Sequence, residues 1–351
     1  MEEQMQPARR WTQGAADPAA GDDARDETNL RPQMLAEFIG QERIKTQLAL
    51  FVEAARQRGE ALDHVLFHGP PGLGKTTLAS IIAREMGVEL RVTSGPAFQS
   101  PAELVSILAC DDKNYCLFID EIHRLSRIVE EHLYPAMEDF QVELVVDKGP
   151  SARRYQLKLE PFTLVGATTR AGMITPAMRS RFGIVLHLDF YPPEDLRIIV
   201  TRSAKLLGVA LTSEGADEIA RRSRGTPRVA NRLLRRVRDF AQVKGDGDVD
   251  REMARRALAL LEVDELGLES LDRNYLRCLI DSFDGGPVGL STLAVALGEE
   301  TDTLEDVVEP YLIQAALVQR TPRGRVATRH GYAHLQREIP RRAGAEGDSL
   351  F

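Results

Sequence analysis

The segment GPPGLGKTT, residues 69–77, restricts the fold of this chain more than any other stretch. It follows the apolar run HVLFH and leads into TTLASIIAREMG, which has helical periodicity. The pattern G-x-x-x-x-G-K-[ST] is informative in this setting, where a strand ends, glycine-rich backbone curls around an anion and a helix begins. The chain is therefore predicted to contain an α/β domain built around a phosphate-binding loop.

The residue types of this loop suit contact with a nucleoside triphosphate. Gly72 and Gly74 allow backbone N–H groups to turn inward toward phosphate oxygens. The helix that follows adds the positive end of its dipole. Lys75 is predicted to reach the β- and γ-phosphates, the Thr76 hydroxyl to ligate Mg²⁺, and Thr77 to lie beside the α- or β-phosphate. The predicted cofactors are thus ATP and Mg²⁺.

A second apolar strand, within CLFIDEIHRL, ends in two carboxylates. Sites in α/β proteins lie at the carboxyl ends of strands. Asp120 is therefore predicted to hold Mg²⁺ through water, and Glu121 to polarise the attacking water. An acidic pair at a strand end can also simply cap the next helix. The phosphate loop favours the catalytic interpretation, and His123 is interpreted as incidental.

Two further segments add candidates for the nucleotide site. The strand FTLVGATTR predicts that Thr169, or with less support Thr168, orients water near the γ-phosphate. The segment GTPR begins a helix, with Thr226 as a cap and Pro227 in the first helical position. Arg228 in that first turn opposes the helix dipole, so a nucleotide phosphate is its expected partner.

Composition and hydrophobic pattern divide the chain into five parts. The 351 residues carry a net charge of −8, which argues against global attraction to nucleic acid but permits a local basic patch. No apolar run reaches the roughly 18 residues of a membrane span, and three scattered cysteines suit the cytoplasm. The predicted parts are a disordered tail (1–28), a large α/β domain (29–191), a small helical domain (192–262), a winged-helix domain (263–340) and a second disordered tail (341–351).

The winged-helix prediction rests on three helical segments followed by a two-stranded hairpin. The third helix is rich in carboxylates, and no lysine or arginine occurs from residue 291 to residue 319, so this helix is not expected to read DNA. The turn QRTPRGR carries Arg320, Arg323 and Arg325, which have no matching acids nearby in sequence. They are predicted to contact duplex phosphates without reading sequence. A basic, solvated turn is the alternative.

The ordered set of motifs resembles the AAA+ ATPases, and more narrowly the members that drive branch migration at Holliday junctions. The resemblance covers roughly residues 30–332, with LRPQMLAEFIGQ, LYPAMEDF, GATTRAGMITPAMRSRFGI and GGPVGL among the matching segments. It implies an AAA+ P-loop ATPase domain with a mostly parallel sheet, a small helical lid domain and a C-terminal winged-helix domain. The implied activity is ATP-driven translocation of duplex DNA during recombination and repair.

The resemblance also implies roles that spacing alone does not. It places Leu30 and Arg31 beside the adenine and makes Arg228 a sensor of the nucleotide. Further residues implied to line the nucleotide pocket are Glu138, Asp139, Phe140 and Tyr191. Family members form hexameric rings, so Arg181 is expected to enter a neighbour's site and stabilise charge on its γ-phosphate, and whether Arg179 also contacts that neighbour is left open.

A hairpin at residues 141–160 is predicted to interrupt the α/β domain. The resemblance implies that it docks a junction-binding partner protein, and a junction resolvase is a further implied partner. An ordinary edge hairpin is the alternative interpretation of the same residues.

Three other functions compete with translocation. A clamp-loader-like switch would open a ring, a transcription regulator would use the winged helix to read sequence, and an unfoldase would pull on protein. The acidic third helix argues against sequence reading, and the chain shows no aromatic-glycine pore loop of the kind unfoldases use.

Overall fold

The structure is a computed structural model that describes residues 29–109, 114–146 and 153–339. These residues fall into two compact units. The first unit extends to residue 68 and resumes from 74 to 188, and the second contains residues 69–73 and the chain from 189 onward.

A five-stranded parallel sheet lies at the centre of the first unit, with strand order β2-β3-β6-β1-β7. Strands β4 and β5 form a separate antiparallel hairpin. Central strand β6 is buried at every position, as expected for a parallel sheet covered on both faces. The strands are β1 (Val65–His68), β2 (Leu90–Ser94), β3 (Cys116–Asp120), β4 (Gln141–Val146), β5 (Arg153–Lys158), β6 (Thr163–Thr168) and β7 (Ile184–His187).

Two helices of the first unit begin at side-chain caps that the sequence supplies. Ser126 accepts a hydrogen bond from the Val129 N–H, and Thr175 accepts one from the Met178 N–H. These helices are α1 (Glu42–Arg58), α2 (Lys75–Met86), α3 (Pro101–Leu108), α4 (Arg127–Glu138) and α5 (Pro176–Arg179). The apolar faces of α3 and α4 pack, through Leu104 and Leu133, into one buried core with β3 and β6.

The hairpin predicted to interrupt the α/β domain is confirmed. Strands β4 and β5 pair from Gln141 opposite Lys158 to Val146 opposite Arg153. The connecting residues 147–152 lie outside the described part of the chain.

The second unit contains helices first and a hairpin near its end. Its helices are α6 (Pro193–Leu206), α7 (Ser213–Arg221), α8 (Pro227–Lys244), α9 (Arg251–Leu260), α10 (Ser270–Arg277, extended by a π-helical turn over Cys278–Ser282), α11 (Leu290–Leu297), α12 (Thr301–Thr303, extended by a π-helical turn over Leu304–Val308), α13 (Glu309–Gln314) and α14 (Arg329–His334). Strands β8 (Val318–Thr321) and β9 (Gly324–Ala327) pair antiparallel and are called the wing below. The predicted winged helix is therefore confirmed.

A buried ion pair joins the two halves of this second unit. Arg224 follows α7, and its Nη1 lies 2.9 Å from Asp272 Oδ2 in α10. Both side chains are at most 10% exposed. Burial is the largest influence on Asp272 and raises its pKa, while the Arg224 charge acts in the opposite direction. Among the described residues, no helix is both long and apolar enough to cross a membrane.

Candidate functional site

The phosphate loop has the backbone that its glycines were predicted to allow. Gly69, Gly72 and Gly74 have φ values of 142°, 80° and 102°, in a region that residues with a Cβ seldom adopt. Gly74 directly precedes α2, and Lys75 at the start of that helix is 7% exposed. The loop therefore ends with its lysine held at a helix N-terminus, which is the geometry that favours anions.

Two predicted pocket residues meet the backbone of this loop within the second unit. The Arg228 N–H donates to the Gly72 carbonyl at 3.3 Å, and the Tyr191 hydroxyl donates to the Leu73 carbonyl at 3.1 Å. A Cβ added at Gly72 would lie 3.1 Å from the Arg228 Cβ. Glycine at this position thus permits the close approach of helix α8.

One local prediction about this helix is wrong. Thr226 occupies the position before α8, but its hydroxyl donates to the Ser223 carbonyl at 3.4 Å and caps no N–H group of the helix. Pro227 does stand in the first turn, as predicted, where its missing N–H costs no hydrogen bond. A side-chain cap does form at Thr212 before α7, because its hydroxyl accepts from the Gly215 N–H at 3.1 Å.

The predicted carboxylates lie at the carboxyl end of β3. Asp120 is the last residue of the strand, and its Oδ1 accepts the Glu121 N–H at 3.0 Å. Glu121 has φ of 46°, a left-handed conformation that costs a residue with a side chain about 1–3 kcal/mol. Such strain persists where the surrounding structure holds it in place, and it occurs often at active sites.

The side chain of Glu121 is held by Thr169, the residue directly after β6, which is the neighbour of β3 in the sheet. Its Oε2 accepts the Thr169 hydroxyl at 3.2 Å and the Thr169 N–H at 3.3 Å. Burial alone would raise the pKa of Glu121, but hydrogen bonds from His123 and Thr169, with the Lys75 charge, hold that pKa below its usual value. Glu121 is therefore ionised at neutral pH, as a proton acceptor must be.

The two threonines of GATTR differ in their contacts. Thr169 meets Glu121, whereas Thr168 is fully buried and its Oγ1 lies 2.9 Å from His123 Nδ1. His123, interpreted from the sequence as incidental, lies in contact with this group, because its Nδ1 also lies 3.2 Å from Glu121 Oε2. Nothing in the sequence besides its place two residues after Glu121 pointed to this contact.

The segment predicted to lie beside the adenine packs on the helix that the phosphate loop begins. Leu30 is 3% exposed. The Leu35 N–H donates to Glu85 Oε1 at 2.8 Å, and the Gln33 side chain meets that of Arg84, so α2 anchors this segment. Arg31 is half-buried, and its carbonyl accepts the Gln33 side-chain N–H at 3.2 Å.

Glu138 and Arg181 meet at the other end of the sheet. Arg181 Nη2 lies 3.2 Å from Glu138, Nη1 donates to the Ala177 carbonyl at 2.6 Å, and the guanidinium lies 4.1 Å from the Tyr134 ring centroid. The Nε of Arg181 is buried and has no hydrogen-bond partner within the described part of the chain. Arg179 ends α5 on the exposed surface.

The direction of the parallel strands separates Arg181 and Glu138 from Lys75 of the same chain. Arg181 comes just before β7, and Phe140 packs edge-on against Phe162, which comes just before β6. Lys75 instead follows the carboxyl end of β1. Strands of four to six residues at about 3.3 Å per residue place the two groups on the order of 13–20 Å apart. The group near the amino ends of the strands is therefore separated from Lys75 by the length of a strand. It contains Glu138, Asp139, Phe140 and Arg181.

Two of the three wing arginines have an acidic partner, contrary to the prediction. Arg320 Nε and Arg325 Nε each donate to Glu309 at 2.8 Å, and Glu309 is fully buried. The inference that these arginines lack matching acids is thus wrong, because Glu309 lies in α13 and reaches both across the turn. Arg323 stands exposed at the tip between β8 and β9. Phosphate contact by the three arginines stays a prediction.

Few protein ligands surround the predicted metal position. Among the described residues, no group of three or more His, Cys, Asp and Glu side chains could hold a metal ion. Mg²⁺ usually takes only one or two protein oxygens and completes its shell with water and substrate phosphate. The hydroxyl of Thr76 and the carboxylate of Asp120 fit that donor set.

Comparisons with known proteins match each of the three domains between the two tails. Residues 30–188 match the Holliday junction DNA helicase RuvB P-loop domain, residues 191–264 the RuvB AAA lid domain, and residues 265–336 the RuvB C-terminal winged helix domain. A solved structure of the Thermotoga maritima RuvB Holliday junction branch migration motor is 49% identical, with a TM-score of 0.82, and the match covers 89% of this chain and 100% of that one. A substituted form of that protein is 48% identical, with a TM-score of 0.83, over 89% of this chain and 99% of that one.

Proposed function

Because the chain belongs to the RuvB family of ATP-driven Holliday junction branch-migration motors, we propose that each of its ATP sites is completed by a second copy of the chain. As a member of that family it is an ATP hydrolase that acts on Holliday junction DNA. One copy binds the nucleotide, and the neighbouring copy supplies the arginine that promotes hydrolysis.

Within one copy, the phosphate loop and its surroundings bind the nucleotide. Gly72 and Gly74 present backbone N–H groups to phosphate oxygens, Lys75 neutralises the β- and γ-phosphates, and Thr77 lies beside the α- or β-phosphate. Leu30 and Arg31 take the adenine side. The contacts of Tyr191 with the Leu73 carbonyl and of Arg228 with the Gly72 carbonyl support a role for both residues beside the phosphate loop.

Mg²⁺ is assigned to Thr76 and, through water, Asp120. When bound, the ion neutralises charge that develops on the phosphate oxygens. Glu121 is ionised and positioned to accept a proton from the attacking water, and Thr169 orients that water beside it. A carboxylate that takes up the proton in this way leaves hydroxide character on the oxygen that attacks the γ-phosphorus.

The proposal is supported chiefly by the position of Arg181, which lies at the amino ends of the strands, whereas Lys75 lies at their carboxyl ends. An arginine on that side cannot reach its own γ-phosphate, but it can reach the site of an adjacent copy in a ring. Glu138 and Tyr134 hold the guanidinium there, and its buried Nε–H has no acceptor among the described residues. Glu138, Asp139 and Phe140 share this side and are assigned to the same neighbouring pocket. A homohexameric ring is proposed from family membership.

The remaining partners are proposed from the same family relationship. The wing contacts duplex phosphates through Arg323, with Arg320 and Arg325 at its base, so binding is independent of sequence. The hairpin of β4 and β5 docks a RuvA-like junction-binding protein, and a RuvC-like resolvase acts on the same junctions. A motor that works on such DNA belongs in the cytoplasm.

Two inactive variants test whether the ATP site is shared. Arg181→Ala should leave ATP affinity nearly unchanged and lower turnover by about 10³-fold or more, whereas Lys75→Ala should lose turnover through its own phosphate loop. A mixture of the two should recover part of the activity, since some interfaces then contain both intact residues. Arg179→Ala, two residues away and exposed, tests whether the second arginine also enters the neighbouring site, and it should stay active if Arg181 acts alone.

The readouts are ATP turnover with circular duplex DNA and strand separation of a four-way junction in the presence of RuvA. A mixture that stays inactive while rings form would place Arg181 in its own subunit or outside catalysis. ATP turnover without any junction movement would instead indicate a ring-opening switch.

A further inference from the structure

His123 lies in a short 3₁₀ turn, Ile122–Arg124, directly after the strand that carries the two carboxylates. Its side chain is only 5% exposed. One ring nitrogen, Nδ1, lies 3.2 Å from Glu121 Oε2 and 2.9 Å from Thr168 Oγ1. The imidazole thus connects the carboxylate that we assign as proton acceptor with strand β6.

The chemistry of these neighbours places the imidazole proton. The ionised carboxylate of Glu121 can only accept hydrogen bonds, so a bare lone pair on His123 Nδ1 at 3.2 Å would repel it. A proton on Nδ1 instead allows donation to Glu121 Oε2 and Thr168 Oγ1 together. Thr168 Oγ1 also accepts the Arg170 N–H at 3.0 Å, which fixes the hydroxyl oxygen relative to β6.

Glu121 therefore depends on two supports. Thr169 donates to it through both its N–H and its hydroxyl, and His123 donates to the same oxygen through its ring. The backbone of Glu121 is in the left-handed region, so its side chain leaves β3 in an unusual direction and needs contacts that define its orientation. Catalytic geometry must be held within a fraction of an ångström, and misplacement costs rate.

We propose that His123 is a positioning residue for ATP hydrolysis, which orients the Glu121 carboxylate through its Nδ1–H and is itself fixed to β6 by Thr168. The proposal rests on the assignment of Glu121 as the proton acceptor. His123 acts through Glu121 and not on the nucleotide, so its loss lowers kcat and leaves KM and nucleotide affinity nearly unchanged.

Two substitutions separate the hydrogen bond from the bulk of the ring. His123→Phe keeps a ring in the buried space and removes the donor. His123→Asn removes the ring and keeps an N–H donor at the same distance along the side chain as Nδ1. Arg124→Ala, on the exposed side of the same turn, is the matched control. All are made in the full-length chain and assayed with ATP, Mg²⁺ and circular duplex DNA.

His123→Phe should lower kcat on the order of ten-fold, the effect of one lost hydrogen bond to a charged group, with KM and the affinity for a fluorescent ATP analogue within about two-fold. His123→Asn should restore kcat to within about three-fold of the parent. Unchanged kcat in His123→Phe would overturn the proposal, and so would an Asn variant as slow as the Phe variant.

A second route covers the case in which His123→Phe does not fold. Thr168→Val keeps the branched shape in β6 and removes the hydroxyl, so it should also lower kcat, and its effect should not add to that of His123→Ala, which removes the ring donor. Full additivity would contradict a shared function. If the parent chain and Arg124→Ala fail to hydrolyse ATP, the proposed function fails and the assignment of His123 falls with it. If they hydrolyse ATP and Glu121→Gln does too, the proton acceptor is wrong.

Discussion

Replacement of Glu309 by glutamine is expected to loosen the wing of the C-terminal domain. Glu309 is fully buried at the start of α13, and its carboxylate accepts hydrogen bonds from Arg320, Arg325 and Tyr275, each at 2.8 Å. The two arginines belong to β8 and β9, so one carboxylate fixes both strands to the helix. Glutamine keeps the shape and removes the charge.

The size of the effect follows from the exposure of the partners. Removal of one member of a buried ion pair costs about 3–5 kcal/mol when the other charge stays buried. The side chain of Arg325 is 17% exposed, but that of Arg320 is 43% exposed and regains water when its partner is lost. We therefore expect a loss of about 2–3 kcal/mol from the free energy that holds the wing closed.

Hydrogen exchange of the wing amides, read by mass spectrometry on the full-length chain, measures this free energy locally. A loss of about 2–3 kcal/mol corresponds to exchange about 30- to 150-fold faster. Glu305→Gln is the matched control, because Glu305 is 32% exposed and meets Arg320 at 3.5 Å. Its loss should stay below about 1 kcal/mol. Equal exchange in the two variants would refute the reasoning from burial.

The same carboxylate predicts how the wing responds to acid. Burial raises the pKa of Glu309, but the hydrogen bonds and charges of Arg325, Tyr275 and Arg320 outweigh burial and hold that pKa below its usual value. Because the pKa of Glu309 is lower in the folded wing than in the unfolded chain, its ionised carboxylate stabilises the wing at pH values above the unfolded pKa of about 4.3. This stability is lost as the pH falls through the pKa of the folded state. The protection of the wing amides, taken relative to their intrinsic exchange rates at each pH, should therefore fall in acid in the parent, whereas Glu309→Gln should lack this step.

Three further predictions test other parts of the molecule. Arg323→Ala should weaken duplex binding equally at every sequence and reduce the salt slope by about one, as measured by titration at several salt concentrations. Gly72→Ala should weaken binding of a fluorescent ATP analogue, because its Cβ would crowd Arg228. Gly87→Ala shares the left-handed backbone but has no atom within 4 Å, so it should bind normally. Burial raises the pKa of Cys116 to about 12, so iodoacetamide at a pH of about 8 should label it only after unfolding, as read by mass spectrometry.

The sequence by itself determined the elements whose signals are local. A phosphate loop needs glycines, a lysine and a threonine at set spacing between a strand and a helix, and all of these are adjacent in the chain. Apolar strands alternating with helices predicted the parallel sheet, and Asp120 and Glu121 at the end of β3 could be assigned because strand ends collect sites. Three helices and a hairpin likewise predicted the winged helix.

Tertiary structure decided which side chains meet. Glu309 lies 11 residues before Arg320 and 16 before Arg325, and only the fold of the wing onto α13 makes it their partner. His123 meets Thr168, which is 45 residues away, only because the fold brings the two side chains together. Arg181 lies near the amino ends of the strands and Lys75 near their carboxyl ends, because Arg181 precedes β7, Lys75 follows β1 and the two strands run parallel. Pairing and burial depend on distances in space, which spacing along a sequence does not contain.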